Sequence, residues 1–302
     1  MNQFVVIGDL NLDVIFSGIG AIPSPGKEIL AESCTWKLGG SSANVATILA
    51  MMGCRVRLFS LVGRDAAGDL IMDRLRESGL PARTISRSQG ATTGVTVSLA
   101  LSGDRMYITQ PGTLGETRLR DLKRRYIRRN AHLHLSSYYL QSGLRSSIGL
   151  LLKNAKASGM TTSLDPGCDP SERWSLDDLK AHFSLVDWFL PNADEIQAIT
   201  GREKISDALQ SLSSELRGVV VKAGSRGAYV RHGGSVSHFS AFPAKVVDTT
   251  CAGDCFDAGF LFGMASSGSV QKAAHLGNAI GALAVAHNGL PPRELVRKEI
   301  QG

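Results

Sequence analysis

The sequence has no apolar run long enough to cross a bilayer, and Met1-Asn2-Gln3 leads directly into a strand-like segment. Neither a membrane span nor a secretory leader is therefore read from it. Cysteine is sparse: five residues, at positions 34, 54, 168, 251 and 255, odd in number and scattered. That pattern excludes a disulfide framework and a metal-ligand grid, and it fits a reducing cytoplasm, the expected location. Aromatic residues make up only 6% of the chain. Without aromatic platforms or a recognised module, a nucleic-acid partner is not expected. Two phosphate-binding signatures are also missing. No Gly-Lys-Ser/Thr closes a P-loop, and no Gly-x-Gly-x-x-Gly follows the first strand, which argues against a dinucleotide oxidoreductase.

What is present is 302 residues, 43% apolar and 20% charged, enough to bury a full core in one domain spanning 1–302. The net charge of +6 is concentrated in Arg118–Arg129. There Leu119, Leu122, Tyr126 and Ile127 recur at helical spacing, which predicts an amphipathic helix with a basic, solvated face. Short strands at Phe4–Gly8, Arg55–Val62, Ala131–Ser136, Thr161–Leu164 and Gly218–Lys222 alternate with helix-length crossovers. The alternation predicts an α/β fold with a mostly parallel sheet. His132 and His134 lie on one such strand with no third ligand nearby, so they are read as packed core residues. Two segments depart from the pattern. In 17–38, Pro23 and Pro25 punctuate a loop and Glu28–Lys37 reads as a strand; in 90–110, Thr92–Leu99 alternates, Ser102-Gly103-Asp104 turns and Arg105–Thr109 returns. Alternation leaves one covered face and one free to meet a ligand, so these segments are expected to form a small β lid over the main crevice. The tail from Pro291 is read as surface.

The stretch that organises the rest is Val246–Phe260. An apolar strand is expected to end at Val247, followed by a polar turn, Asp248-Thr249-Thr250, and a small-residue corner, Cys251-Ala252-Gly253. A helix then runs from there through about Met264. The first amides of such a helix have no intrahelical acceptors, and with the helix dipole they favour an anion. Asp254, at that same start, can take a proton from a hydroxyl attacking a phosphoryl group held by those amides. Four other constellations are candidates for binding. Asn11 and Asp13 sit beyond the first strand at alternate positions. Gly39 and Gly40 open a helix bearing Asn44. Asn192 and Glu195 have the spacing of a capping box as well as of a metal-water pair. Lys222, Gly224, Ser225 and Gly227 form a glycine-rich turn.

Taken in order, these elements resemble the ribokinase-like (PfkB-type) carbohydrate kinases: Asn-x-Asp, Gly-Gly-x-x-Ala-Asn, two lid segments, Asn-x-x-Glu, Gly-x-x-Gly and Asp-Thr-Thr-x-Ala-Gly-Asp. The resemblance covers nearly the whole chain. It implies a three-layer α/β/α fold with a small β-sheet lid, and ATP- and Mg²⁺-dependent phosphorylation of a sugar or sugar-like molecule. It casts Asp254 as catalytic base and Cys251, Ala252 and Gly253 as the anion hole, with Cys251 where the family usually has glycine. Asn11, Asp13, Gly39, Gly40 and Asn44 are assigned to the acceptor. Asn192, Lys222, Gly224, Ser225, Gly227 and Asn278 are assigned to the nucleotide, Asn192 and Glu195 to Mg²⁺ through water, and Asp248 to a candidate K⁺ site. A homodimer through the lid is expected. A nucleoside acceptor of the adenosine, inosine or pseudouridine type is the alternative, favoured if Phe16, Trp36 or Tyr107 forms an aromatic platform. A catalytically weak binding protein is the third reading.

Overall fold

A computed structural model describes residues 2–101, 104–122 and 130–301. Thirteen strands are present among them: β1 (Gln3–Ile7), β2 (Asn11–Ser17), β3 (Ser33–Gly39), β4 (Arg55–Val62), β5 (Ile85–Arg87), β6 (Val95–Leu101), β7 (Asp104–Gln110), β8 (Ala131–Leu135), β9 (Thr161–Leu164), β10 (Trp188–Phe189), β11 (Gly218–Lys222), β12 (Ala228–His232) and β13 (Ser235–Phe239). The α-helices are α1 (Ser41–Met51), α2 (Ala66–Ser78), α3 (Ser142–Arg145), α4 (Ile148–Ala157), α5 (Leu176–Lys180), α6 (Ala193–Thr200), α7 (Ile205–Ser211), α8 (Ala252–Ser267), α9 (Val270–Val285) and α10 (Arg293–Glu299).

The main sheet runs β13-β12-β11-β10-β9-β8-β1-β4-β5, parallel from β11 to β5, with β12 and β13 antiparallel at one edge. Successive side chains of a strand point to opposite faces, and β1 shows the result. Phe4 and Val6 join a core with α1, α2, α8, α9 and α10, whereas Val5 and Ile7 join a second core with α3 to α7. The architecture is the expected three layers, α/β/α. On the first face α8 and α9 approach closely because Gly259 and Gly263 present no side chain; a Cβ on Gly263 would stand 2.6 Å from the Ala273 backbone. His132 and His134 are indeed packed. They alternate with hydroxyls in a buried chain, His132 Nε2 and His134 Nδ1 both 2.7 Å from Ser163 Oγ, and His134 Nε2 2.8 Å from Ser136 Oγ.

A second sheet of four strands, in the order β3-β2-β6-β7, stands apart from the first. It includes Asn11–Ser17, a segment whose alternating Leu12, Val14 and Phe16 mark it as a strand. Its partner strand is Ser33–Gly39, not Glu28–Lys37. Register decides which residues share a face. Lys37, Asp13, Thr96 and Thr109 form one cross-strand row, and Trp36, Val14, Val97 and Ile108 form the next. Adjacent rows face opposite sides.

Three further expectations are corrected, and a fourth lies mostly outside the described residues. No strand leads into Asp248, since residues 240–249 hold none. Val246 and Val247 are exposed at 64% and 57%, and the Val247 and Asp248 amides bond the Val285 carbonyl at the end of α9. The helix expected over Leu144–Ser158 is broken at Ser146–Ser147. The tail is not merely surface, since Val296 of α10 is fully buried in the first core. The basic segment opens at Leu119–Asp121 as a single 3₁₀ turn; the rest of that expectation, residues 123–129, lies outside the described residues.

Candidate active site

The crevice lies beyond the carboxyl ends of the strands, where open α/β sheets bind their ligands. Helix α8 enters it with Cys251 as N-cap, held at φ 64°, a left-handed conformation that costs a non-glycine residue roughly 1–2 kcal/mol. The first α-helical bond runs from the Cys255 amide to the Cys251 carbonyl at 2.8 Å, and Ala252 bonds back to Thr249. The Gly253 and Asp254 amides are left over for a ligand. The Cys251 side chain does not occlude them: its sulfur turns toward α1, 3.3 Å from Asn44 Nδ2.

That same Asn44 nitrogen donates to Asp254 Oδ2 at 2.7 Å. The bond joins residues 210 positions apart and brings both glycine-bearing helix starts into one site. The protein around Asp254 strips water from its carboxylate and raises its pKa from 3.8 to about 6. Asp13 is raised likewise to about 6, by burial first, against the hydrogen bond from Asn11, with the charges of Asp9 and Asp254 adding to the rise. Asn11 Nδ2 donates to Asp13 Oδ1 at 2.7 Å and to Thr96 Oγ1 at 3.0 Å, so the acceptor-side pair is pinned to the second sheet. Gly39 and Gly40 are needed for this packing. A Cβ on Gly39 would collide with the Asp13 carboxylate, and Gly40 sits at φ 101° against the Asp9 backbone.

Asn192 and Glu195 form a reciprocal capping box at the start of α6. The Glu195 amide donates to Asn192 Oδ1 and the Asn192 amide to Glu195 Oε2, both at 2.8 Å. Burial, and then the charge of Asp165, push the Glu195 carboxyl up to about 7. The other Glu195 oxygen has no protein partner among the described residues. Lys222 is not where the turn reading places it. Its Nζ points inward, to Asp165 Oδ2 at 2.6 Å and Asp257 Oδ2 at 3.0 Å. Gly224, Ser225 and Gly227 do form a tight turn, in which the Ala223 amide bonds the Gly227 carbonyl and Ser225 stays exposed. Asn278 uses its amide protons on the Phe239 and Ser240 carbonyls, tying the exit of β13 to α9. Asp248 is buried and accepts from the Thr250 amide at 2.8 Å. Among the described residues, no group of three or more His, Cys, Asp or Glu is arranged to hold a metal directly.

Three residues of the site escape sequence reasoning. Asp9 caps α1 from outside the helix, accepting from the Ser41 amide at 2.9 Å and the Ser42 amide at 3.2 Å. Asp165 reads as an ordinary strand exit. Asp257 offered one signal, its place three residues after Asp254 on the same helix face. Of the three aromatic residues named above, only Tyr107 shares a face with Asp13; Trp36 and Phe16 lie on the other side of the sheet.

Comparison with known proteins bears on the family and the fold. Residues 1–292 match the pfkB family carbohydrate kinase description. The chain is 31% identical over 275 residues to 2-dehydro-3-deoxygluconokinase of Bacillus subtilis (strain 168), covering 85% of this chain and 84% of that protein. Its fold is similar to that of a fructokinase double mutant from Vibrio cholerae O395 bound to fructose, ADP and a potassium ion. The TM-score is 0.84 at 24% identity, over 99% and 98% of the two chains. It is also similar to an Arabidopsis thaliana ribokinase complexed with ribose and ATP, with a TM-score of 0.82, 25% identity and full coverage of both chains.

Proposed function

The chain belongs to the pfkB family of carbohydrate kinases, and on that premise we propose that it moves the γ-phosphoryl group of ATP to a primary hydroxyl of a sugar or sugar-like small molecule. The observation that carries the reading is the Asn44–Asp254 bond. It joins a carboxylate at the leftover amides of α8 to the helix that Gly39 and Gly40 open, which supports reading these groups as one site. In the proposed step the acceptor oxygen bonds to the γ-phosphorus as the bond to the ADP oxygen breaks, and the hydroxyl proton passes to Asp254. The Gly253 and Asp254 amides carry the charge on the moving group, worth about 2.7–4 kcal/mol for one well-placed donor, while the Ala252 amide is already bonded to the Thr249 carbonyl. Asn11, Asp13 and Asn44 orient the acceptor, with the glycine pair Gly39–Gly40 letting the backbone come close.

The nucleotide lies on the other side of α8, along Gly224, Ser225 and Gly227 and the Asn278 edge. The residues present suit a hydrated divalent cation: Glu195 keeps one oxygen without a protein partner in an over-acidic neighbourhood. Asn192 and Glu195 would hold Mg²⁺ through water, where it would neutralise phosphate charge. The buried Asp248 is kept as a K⁺ candidate on the same terms. The second sheet serves as the lid that excludes water from the transfer. Its outer face exposes Trp36, Met106 and Ile108 at 53%, 44% and 67%. A second copy of this chain is the proposed cover for that face, in the cytoplasm, where five free cysteines are at ease.

A nucleoside acceptor is the second reading, because exposed Tyr107 shares the Asp13 face. A coupled ADP-release assay with ATP and Mg²⁺ decides among ribose, fructose, 2-keto-3-deoxygluconate, adenosine, inosine, cytidine and pseudouridine. Turnover with free sugars supports the first reading, and turnover confined to one nucleoside replaces it with the second. No acceptor-stimulated ADP release with any of them, in wild type and in Cys251→Gly alike, would count against a kinase.

A further inference from the structure

A buried cation stands directly behind the helix terminus at the centre of the crevice. Lys222 ends β11, and its amide bonds the Pro191 carbonyl just past β10 at 3.0 Å. From there the side chain reaches Asp165, beyond β9, and Asp257, in the second turn of α8. The lysine side chain is 10% exposed and the two carboxylates 6% and 0%. A Cβ on Gly253 would lie 3.7 Å from Lys222 Nζ, so the ammonium stands against the backbone of the first turn of α8. Burying such a group is costly, and apolar replacements of buried ion pairs are often neutral or stabilising, so stability alone is a poor account of it. Its position suggests another use. A full positive charge is set on the same side as the free amides, where the helix dipole supplies only roughly half a charge.

On the reading that the α8 terminus receives the moving phosphoryl group, we propose that Lys222, gripped by Asp165 and Asp257, is a positioning residue for the transfer. It holds the first turn of α8 against the ends of β9 and β11 and backs the anion hole with positive charge. Two of its three N–H bonds are already spent inside the protein. The groups that share its field are Asp165, Asp257 and Asp254, with Glu195 from α6 and His134 from β8. Two carboxyls on one buried ammonium leave an excess of acid. Burial raises the Asp257 carboxyl well above the usual carboxylate range, against the pull of Lys222 and with the charge of Asp165 adding to the rise.

That arrangement supplies the test. Lys222→Met removes the charge, while Asp257→Asn keeps the side-chain shape and leaves the ammonium in place. With both variants folded by circular dichroism, Lys222→Met should lower kcat about 100-fold, with ADP affinity and acceptor KM within about threefold of wild type. The carboxyl ¹³C resonance that Asp254→Asn removes should titrate about one pH unit higher in Lys222→Met than in wild type, because a nearby positive charge favours the ionised carboxylate. Asp257→Asn, which keeps the ammonium, should leave that midpoint near wild type. If Lys222→Met does not fold, Lys222→Gln, which keeps a donor toward Asp165, carries the same test. Wild-type kcat in the lysine variant, or an unmoved Asp254 midpoint, overturns the proposal. So does an equal shift of that midpoint in Asp257→Asn, which would mean that the shift does not come from the charge of the lysine. The resonance titration needs no acceptor. Failure of the wild type to phosphorylate any compound would thus sink the kinase reading, while the midpoint would still decide whether Lys222 acts on α8.

Discussion

The ionisation of Asp254 should govern the acid side of the pH profile. Burial holds its carboxyl at about 6, well above 3.8, while the hydrogen bond from Asn44 works the other way and favours the charged form. A base must be ionised to take a proton, so kcat/KM should fall about tenfold for each pH unit below about 6. The fall is steeper if Asp13, also at about 6, must be charged to hold the acceptor. Asn44→Leu keeps the side-chain volume and removes the donor. A hydrogen bond to a charged group is worth about 1.5–3 kcal/mol, and 1.36 kcal/mol corresponds to one pH unit. The acid limb should therefore move upward by about one to two pH units, into the neutral range. The plateau will drop as well, because Asn44 is assigned to the acceptor, but the position of the limb is independent of that loss. The assay is coupled ADP release from pH 5 to 9 with whichever acceptor the panel identifies. A limb that stays put in Asn44→Leu would mean that another group titrates; Glu195, raised to about 7, would then take its place.

Asp254→Asn should cut turnover by several orders of magnitude and yet stabilise the fold at pH 8. A carboxyl raised in the native state contributes stability that is present below pH 3.8 and lost as pH rises through about 6. Neutralising it should return about 3 kcal/mol at pH 8 and almost nothing at pH 4, measured by urea denaturation; equal gains at both pH values would refute the assignment. His134 carries the opposite sign. Its pKa is lowered to about 4 by burial, so stability present above pH 6.5 is lost as pH falls toward 4, by about 1.4 kcal/mol per pH unit. His134→Gln should flatten the acid dependence of stability by that amount, and an unchanged slope in urea melts would count against it. Cys251→Gly relieves a left-handed strain and leaves the amides in place, so kcat should be no lower than wild type; a tenfold loss would give the thiol a role that its contact with Asn44 does not suggest. Ile108→Asp on the outer face of the small sheet should convert a dimer to a monomer by light scattering, whereas a monomeric wild type would remove that proposal.

The parts of the site that the sequence discloses are those written in contiguous residues. The corner at Cys251–Asp254 and the box at Asn192–Glu195 are local, and local chemistry fixes where each chain segment turns into a helix. The strands fully buried in the main sheet announce themselves by apolar runs. What stays hidden is the pairing of distant groups. Nothing local tells that Asp9 caps α1 across 32 positions, or that Lys222 turns away from its own glycine turn toward carboxylates 57 and 35 positions distant. Val246 and Val247 mislead for the converse reason. Their side chains suit a strand, but among the described residues no strand pairs with them, and the Val247 amide bonds the end of α9 instead.

That division bears on Lys222 itself. A basic residue at the end of a strand, beside a glycine turn, invites the conclusion that it meets phosphate from outside, through the turn. The fold instead places it beneath the first turn of α8, and the two acidic side chains that hold it there lie on elements that the sequence gives no reason to join. If phosphate were its direct partner, removing the charge would weaken nucleotide binding first. With its charge committed to Asp165 and Asp257, the loss should fall on kcat while nucleotide affinity holds. A Lys222→Met enzyme that binds ADP at least tenfold more weakly, with kcat intact, would restore the outward reading and reject the inward one.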